Sequence, residues 1–442
     1  MSNIVIVGFQ SAGLTAAAAV RLFDREAKVT VVERRNQATY HPCGLPFAIG
    51  GEVQDIRQLV DAVPKMPGVN VLLGTEAKSI DAKAKALEVQ DRKTLKTEKI
   101  PYDKLILATG SLAFKPPIPG AELENVFTLR TMRDGEDILA ALPQSKKAVV
   151  IGAGPIGVEV AGALKGRGLE VVLVEMQPSV LPGMLDPDMS ELVLDHISKS
   201  GVKTICSKPV KEIRGEGKVN SVALEGEEIP ADMVIMAIGV KPDVELAVKT
   251  GLKLGPTKTI AVDEFLRTSD PDIFAVGDCA ESRCFITNRP VWSQLATTAI
   301  RMSKVAGINA AGGKETFEGV LNTVVSSACG LEIASTGLTA NASKAAGIDT
   351  VAARVRTLSK PHYFPGAETI FVKLVAQRKE RRVIGGQIIG DGAAERANLI
   401  ALAIKKRTTV DELSRMEYCY APPANNSIEP IMIAADALLR RL

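Results

Sequence analysis

Short apolar runs recur along the chain, and five of them end at glycine. Ile4-Val5-Ile6-Val7 meets Gly8, and Leu105-Ile106-Leu107-Ala108 meets Thr109-Gly110. Val149-Val150-Ile151 meets Gly152, Val234-Ile235-Met236-Ala237-Ile238 meets Gly239, and Ile273-Phe274-Ala275-Val276 meets Gly277. Runs of this length, rich in β-branched residues and closed by a turn residue, predict strands buried on both faces. Two of the runs open a larger unit. Behind Gly8 come Gly13 and the small residues Ala16 to Ala19, which predict a helix, and then a strand Val29-Thr30-Val31-Val32 that ends at Glu33. Behind Gly152 come a helix to Gly168 and a strand Val171-Val172-Leu173-Val174 that ends at Glu175.

Between these units, residues 69–100 alternate in the manner of short strands with Lys/Glu-rich turns. Pro116, Pro117 and Pro119 make a stiff stretch suited to a crossing between domains. A long helical segment is expected from Trp292 to Ala311. From about Val320 the character changes. Val324-Val325, Glu332 to Thr336, Val351 to Val355, Ile370 to Leu374 and Val383 to Ile389 predict a mostly antiparallel sheet, with helices at 340–346 and 393–406. An amphipathic helix is expected to run to Leu442.

Strand, glycine turn, helix, strand and acid together form the dinucleotide-binding fingerprint. Its first glycine makes the tight turn, and the helix N-terminus receives a pyrophosphate. The last lets helix and sheet approach, and the acid accepts hydrogen bonds from a ribose. The second copy is complete, with Gly152, Gly154 and Gly157 in Gly-x-Gly-x-x-Gly spacing. Glu175 then favours NADH, because a carboxylate repels the 2′-phosphate of NADPH. The first copy keeps Gly8 and Gly13 but has Gln10 in place of the middle glycine, and Glu33 lies 20 residues past Gly13. Asp278, behind the last apolar run, places a carboxylate at a sheet's carboxyl edge. It suits a sugar-alcohol chain there, or equally caps the next helix.

Beyond Glu33 stands Tyr40-His41-Pro42-Cys43-Gly44-Leu45-Pro46-Phe47, with Cys43 ten residues past the acid. A thiol just ahead of a helix sees the positive end of the backbone dipole, which favours the thiolate. The alternative is a buried structural cysteine. None of the six cysteines forms Cys-x-x-Cys and only three histidines are present, so no metal site is expected.

With 442 residues the chain needs several domains, and 46% hydrophobic with 24% charged residues describes a globular protein. A net charge of +3 gives no field that would imply nucleic acid. The absence of a signal-like start, of an 18-residue apolar stretch and of disulfide patterning points to the cytoplasm and away from membranes.

Two fingerprints, Ala-Thr-Gly at 108–110, Val-Gly-Asp at 276–278 and a C-terminal α+β region resemble the FAD- and NAD(P)-dependent pyridine nucleotide–disulfide oxidoreductases. The resemblance covers nearly the whole chain. It implies an α/β, glutathione-reductase-like architecture with two Rossmann-like domains and a C-terminal α+β dimerisation domain. The FAD-binding domain would comprise 1–113 and 245–319, the NAD-binding domain 114–244 and the dimerisation domain 320–442. FAD would use Gly8, Gly13, Glu33, Thr109, Gly110 and Asp278; NADH would use Gly152, Gly154, Gly157, Glu159 and Glu175.

The lone Cys43 resembles the single-cysteine branch: coenzyme A disulfide reductases, persulfide reductases, NADH oxidases and NADH peroxidases. In the peroxidases and water-forming oxidases a histidine occupies the first glycine turn, where this chain has Ser11. The coenzyme A disulfide and persulfide reductases lack that histidine. Their Cys-Gly-Leu-Pro-Tyr is matched by residues 43–47, ending in Phe47 here. Their Tyr-Tyr-Pro-Gly and Tyr-x-Pro-Pro stretches, whose tyrosines reach the partner subunit's site, are matched at Tyr363 and Tyr420. Arg21 matches one of two arginines that hold coenzyme A phosphates, while Leu22 replaces the other, and Pro42 stands where asparagine is frequent. The expected function is NADH-dependent reduction of a small disulfide, persulfide or polysulfide, coenzyme A-linked, by a homodimer with shared active sites. Its rivals are an NADH oxidase working directly at the flavin and an electron-transfer reductase for a protein partner.

Overall fold

The computed structural model describes residues 2–37 and 39–442. The chain forms two compact units. The first comprises Met1–Pro42, Arg57–Ala113 and Val240–Val320; the second comprises Cys43–Ile56, Phe114–Gly239 and Leu321–Leu442.

The first unit is built on a five-stranded parallel sheet in the order Ile273–Ala275, Lys104–Leu107, Asn3–Val7, Lys28–Glu33, Val69–Leu73. Ile4, Ile6, Val31, Leu105, Ile106 and Ile273 are fully buried, as continuous apolar strands covered on both faces must be. Helices Ser11–Phe23 and Ala296–Ala310 pack against each other. A Cβ on Gly307 would lie 2.8 Å from both the Ala16 carbonyl and the Ala19 side chain, so the small residues of the first helix serve this close contact. A three-stranded meander, Thr75–Asp81, Ala86–Asp91 and Thr97–Pro101, completes the alternating stretch.

The second unit holds another five-stranded parallel sheet, ordered Lys203–Ile205, Glu170–Val174, Lys147–Ile151, Met233–Met236, Val126–Thr128. It also holds a five-stranded antiparallel sheet, ordered Val324–Ala328, Leu331–Gly337, Val383–Ile389, Thr369–Gln377, Thr350–Leu358. Helices Ala393–Lys405 and Pro430–Leu439 pack on that sheet. Asp186, at the start of helix Pro187–Lys199, joins the two sheets of this unit. It accepts hydrogen bonds from the Gln387 amide at 2.7 Å and from the Asn341 N–H at 3.0 Å, and pairs with Lys373 at 2.9 Å.

The expected helix from Trp292 starts later, at Ala296. The Trp292 indole donates to the Asp278 carbonyl at 2.7 Å, and Leu295 before the helix is extended. The loop thus answers to a tertiary hydrogen bond and to the strand pair Ser282–Arg283 with Pro290–Val291. The tail helix spans Pro430–Leu439, with the proline in its first turn where no N–H is needed.

Candidate active site

In the first unit the carboxyl ends of adjacent strands gather the first set of residues. Val7 stands in register with both Val32 and Leu107, and Leu107 with Ala275, so Gly8, Glu33, Thr109, Gly110 and Asp278 share one sheet edge. Gly8 has φ +104°, and a Cβ there would sit 2.2 Å from the Ala108 carbonyl. A Cβ on Gly13 would sit 1.8 Å from the Gly8 carbonyl oxygen, so helix and turn touch only through glycine.

Glu33 is buried and accepts the Phe9 N–H at 2.8 Å. Arg35 donates to both its oxygens, Nε at 2.8 Å and Nη2 at 2.7 Å. Burial works to raise the Glu33 carboxyl, but Arg35 and the two N–H groups outweigh it and hold it below the usual range. It is therefore an anion and hydrogen-bond acceptor at neutral pH. Thr109 Oγ1 donates to the Asp243 carbonyl at 2.6 Å, and Ser111 Oγ donates to Asp278 Oδ2 at 2.7 Å.

The second turn repeats this logic. A Cβ on Gly152 would lie 2.5 Å from the Ala237 carbonyl, and one on Gly157 would lie 1.8 Å from the Gly152 carbonyl. A Cβ on Gly154 would meet no protein atom within 4 Å. Gly110, at φ +74°, is open in the same way. Space left by the protein at these glycines fits the close approach of a dinucleotide to each turn. Glu175 is buried, with Oε2 accepting the Ala153 N–H at 2.7 Å and Oε1 the Gln177 N–H at 2.8 Å. Glu159, on helix Pro155–Gly166, accepts Ser326 Oγ at 2.8 Å, and burial pushes its carboxyl up. Its partner lies on strand Val324–Ala328, 167 positions distant in the chain.

Cys43 lies in a 3-10 turn, Pro42–Gly44, ahead of helix Leu45–Gly50. That helix buries Leu45, Pro46, Ala48 and Ile49 and exposes Phe47, and Cys43 ahead of it is exposed. It packs on helix Pro155–Gly166 of the same unit, and Arg167 Nε donates to the Ile49 carbonyl at 2.7 Å. The other cysteines divide cleanly. Cys279 and Cys284 are buried, and burial pushes the thiols of Cys206, Cys279 and Cys329 up. Cys43 and Cys419 are exposed.

Tyr363 and Tyr420, 57 residues apart, are exposed on the second unit with their hydroxyls 3.1 Å from each other. The Tyr363 hydroxyl pushes the Tyr420 phenol up, so Tyr420 keeps its proton at neutral pH. Asn425 Nδ2 donates to the Cys419 carbonyl at 2.7 Å and steadies the turn that carries Tyr420. Arg21, expected at a phosphate, donates from Nη1 to the Ala27 carbonyl at 2.6 Å, and its guanidinium lies against Gly68. Sequence reasoning did not assign Arg35, Ser111 or Trp292. Arg35 follows the strand acid by two residues, the only local signal among the three.

No group of three or more metal-binding side chains occurs among the described residues, and no described helix is long and apolar enough to cross a membrane. Residues 2–303 match the pyridine nucleotide-disulphide oxidoreductase family, and residues 325–431 match its dimerisation domain. An NADH oxidase of Methanocaldococcus jannaschii is 40% identical over 445 residues, covering 99% of each chain. An NAD(P)H sulfur oxidoreductase (CoA-dependent) of Pyrococcus furiosus is 32% identical, again covering 99% of each chain. The solved structure of an NAD-dependent persulfide reductase from A. fulgidus superimposes with a TM-score of 0.95 at 36% identity, over 99% of this chain and 83% of the other.

Proposed function

Since the chain belongs to the pyridine nucleotide-disulphide oxidoreductase family, an FAD- and NAD(P)H-using group of enzymes, we propose that it reduces a small disulfide, persulfide or polysulfide with NADH, and that coenzyme A carries the sulfur. FAD supplies the two-electron relay between the nicotinamide and sulfur. Gly8, Gly13, Glu33, Thr109, Gly110 and Asp278 would hold it at the first sheet edge, and Gly152, Gly154, Gly157, Glu159 and Glu175 would hold NADH at the second.

The observation that carries the sulfur reading is the pairing of Tyr363 with Tyr420 at 3.1 Å. Two neighbouring phenols on an exposed face suit a step in which a thiolate leaves and must be protonated. Cys43, exposed in the turn ahead of helix Leu45–Gly50, is the nucleophile. Its thiolate attacks one sulfur of the substrate, the S–S bond breaks, and the departing thiolate takes a proton from Tyr420 with Tyr363 behind it. This leaves a mixed disulfide at Cys43. Its reduction consumes two electrons and one proton, releases the second thiol and restores the thiolate. The tyrosines would come from the partner subunit of a homodimer, the role that the matched dimerisation domain supports.

A second reading is kept because the Methanocaldococcus jannaschii relative is named NADH oxidase. With Ser11 rather than a proton donor such as histidine in the first turn, oxygen would meet reduced flavin directly and yield peroxide. The test is NADH consumption under nitrogen and in air, with and without coenzyme A disulfide or persulfide. Rapid anaerobic turnover with the sulfur compound is expected; turnover only in air would establish the oxidase.

A further inference from the structure

We propose that Asn425 is a positioning residue for the proton-donating tyrosine: its side-chain amide clamps the backbone on both sides of Tyr420 and so sets that phenol against Tyr363. The two hydroxyls meet at 3.1 Å although Tyr363 is 64% and Tyr420 48% exposed. A hydrogen bond within reach of water keeps one geometry only if the backbones that carry it are already fixed. Tyr363 stands on the loop between strands Thr350–Leu358 and Thr369–Gln377. There the Phe364 N–H closes a turn on the Pro361 carbonyl, and the His362 ring lies edge-on to Tyr363 at 5.6 Å. Tyr420 stands on the segment between helices Val410–Ser414 and Pro430–Leu439. That segment is pinned at its two ends. The Tyr418 hydroxyl donates to the Leu413 carbonyl at 3.0 Å, and Glu429 pairs with Arg396 at 2.5 Å, both side chains largely buried.

Between those pins the main chain is short of donors, because Pro422 and Pro423 have no N–H. Asn425 supplies what is missing. Its Oδ1 accepts the Ala421 N–H at 3.2 Å, and its Nδ2 donates to the Cys419 carbonyl at 2.7 Å. Its own N–H donates to the Ala421 carbonyl at 3.0 Å. One residue thus holds both chain neighbours of Tyr420. A backbone N–H meets only an acceptor and a carbonyl only a donor, so the task needs both ends of an amide in a fixed orientation. A carboxylate at this position offers no donor, and a methyl group offers neither end. Asn425 acts on the proton only through the phenol that it places.

The proposal rests on the reading of Tyr420 as the proton donor, and two measurements keep the two apart. The first needs no turnover. The chain has five tyrosines, so nuclear magnetic resonance of holoenzyme carrying isotope-labelled tyrosine can follow the Tyr420 phenol, with Tyr420→Phe to assign its signal. Tyr363 raises the titration of that phenol above its ordinary value. In Asn425→Ala it should return toward the ordinary value, and an unchanged titration overturns the proposal. The second measurement is anaerobic turnover of the sulfur compound with NADH. Asn425→Ala should lose roughly 10-fold in kcat, the worth of two neutral hydrogen bonds, with KM and flavin reduction by NADH unchanged. The double variant Asn425→Ala, Tyr420→Phe should be no slower than Tyr420→Phe alone, since nothing is left to position. A further loss in the double variant overturns the proposal and gives Asn425 a merely structural part. If Tyr420→Phe turns over at the wild-type rate, the proton-donor reading falls, and the titration alone decides whether Asn425 holds Tyr420. Far-ultraviolet circular dichroism checks folding; if Asn425→Ala does not fold, Asn425→Ser, whose short hydroxyl cannot span both neighbours, takes its place.

Discussion

Lys373 Nζ lies 2.9 Å from the carboxylate of Asp186, with the two side chains 9% and 2% exposed. This buried pair binds the loop ahead of helix Pro187–Lys199 to the antiparallel sheet of the same unit. Burial would raise the Asp186 carboxyl, but the Asn341 N–H, the Gln387 amide, Lys373 and the Ala340 N–H together hold it below the usual range. Lys373→Met leaves the carboxylate buried without its cation and should cost about 3–5 kcal/mol in urea unfolding. Because the folded pKa is depressed, the contribution is complete above the unfolded value near ~3.9 and is lost as pH falls through the folded one. Asp186→Asn should therefore flatten the loss of stability between neutral and acid pH; an unchanged slope would place the acid sensitivity elsewhere.

Cys43→Ser should leave flavin reduction by NADH intact in stopped-flow measurements and abolish turnover of disulfide or persulfide. The other exposed cysteine supplies the control. Cys419→Ser should retain turnover within about twofold, since it keeps the backbone carbonyl that Asn425 holds and exchanges only an exposed thiol for a hydroxyl. Sulfur turnover surviving in Cys43→Ser would transfer the chemistry to the flavin.

Glu175 presents a carboxylate already held by the Ala153 and Gln177 N–H groups. It cannot swing away from a 2′-phosphate without giving up both hydrogen bonds. NADH should be preferred over NADPH by roughly one to two decades in kcat/KM, the equivalent of about 1–3 kcal/mol. Glu175→Ala should shrink that ratio chiefly by weakening NADH. Equal kcat/KM values in the wild type would show that the carboxylate is not at the ribose.

Tyr420→Phe removes the phenol whose proton Tyr363 helps to retain, and sulfur turnover should fall by about 10²-fold, the ordinary worth of a positioned acid. A mixed dimer of Cys43→Ser and Tyr420→Phe chains separates shared from self-contained sites. Shared sites leave one doubly damaged and one intact, so about half the wild-type rate is expected. A rate at the level of the single mutants would confine each tyrosine to its own chain.

The parallel sheets were legible because apolar runs closing on glycine leave few alternatives. Gly8, Gly13, Gly152 and Gly157 could be read as turn residues from spacing alone, and each proves to be where a Cβ would strike a carbonyl. What spacing does not carry is the partner of a side chain. Ser111 meets Asp278 across 167 positions, and Glu159 meets Ser326 across another 167. Trp292 belongs to a loop although its neighbours are compatible with helix, because a single indole bond to the Asp278 carbonyl outweighs local propensity. Tyr363 and Tyr420 were named from motifs, but their mutual hydrogen bond has no local signal at all.

The glycines of the second turn answer to two different judges. Gly152 and Gly157 are constrained by neighbouring carbonyls, so a methyl group at either is rejected during folding itself. Gly154 has φ −72°, a backbone open to any residue, and nothing within 4 Å of its missing side chain. Alanine there is invisible to the fold and visible only to the nucleotide. In a survey that scores expression or protease resistance, position 154 should pass as a permissive surface site while 152 and 157 fail. In one that scores NADH oxidation, all three should fail. Comparing the two surveys residue by residue would then sort the chain into what keeps it folded and what its ligand alone demands.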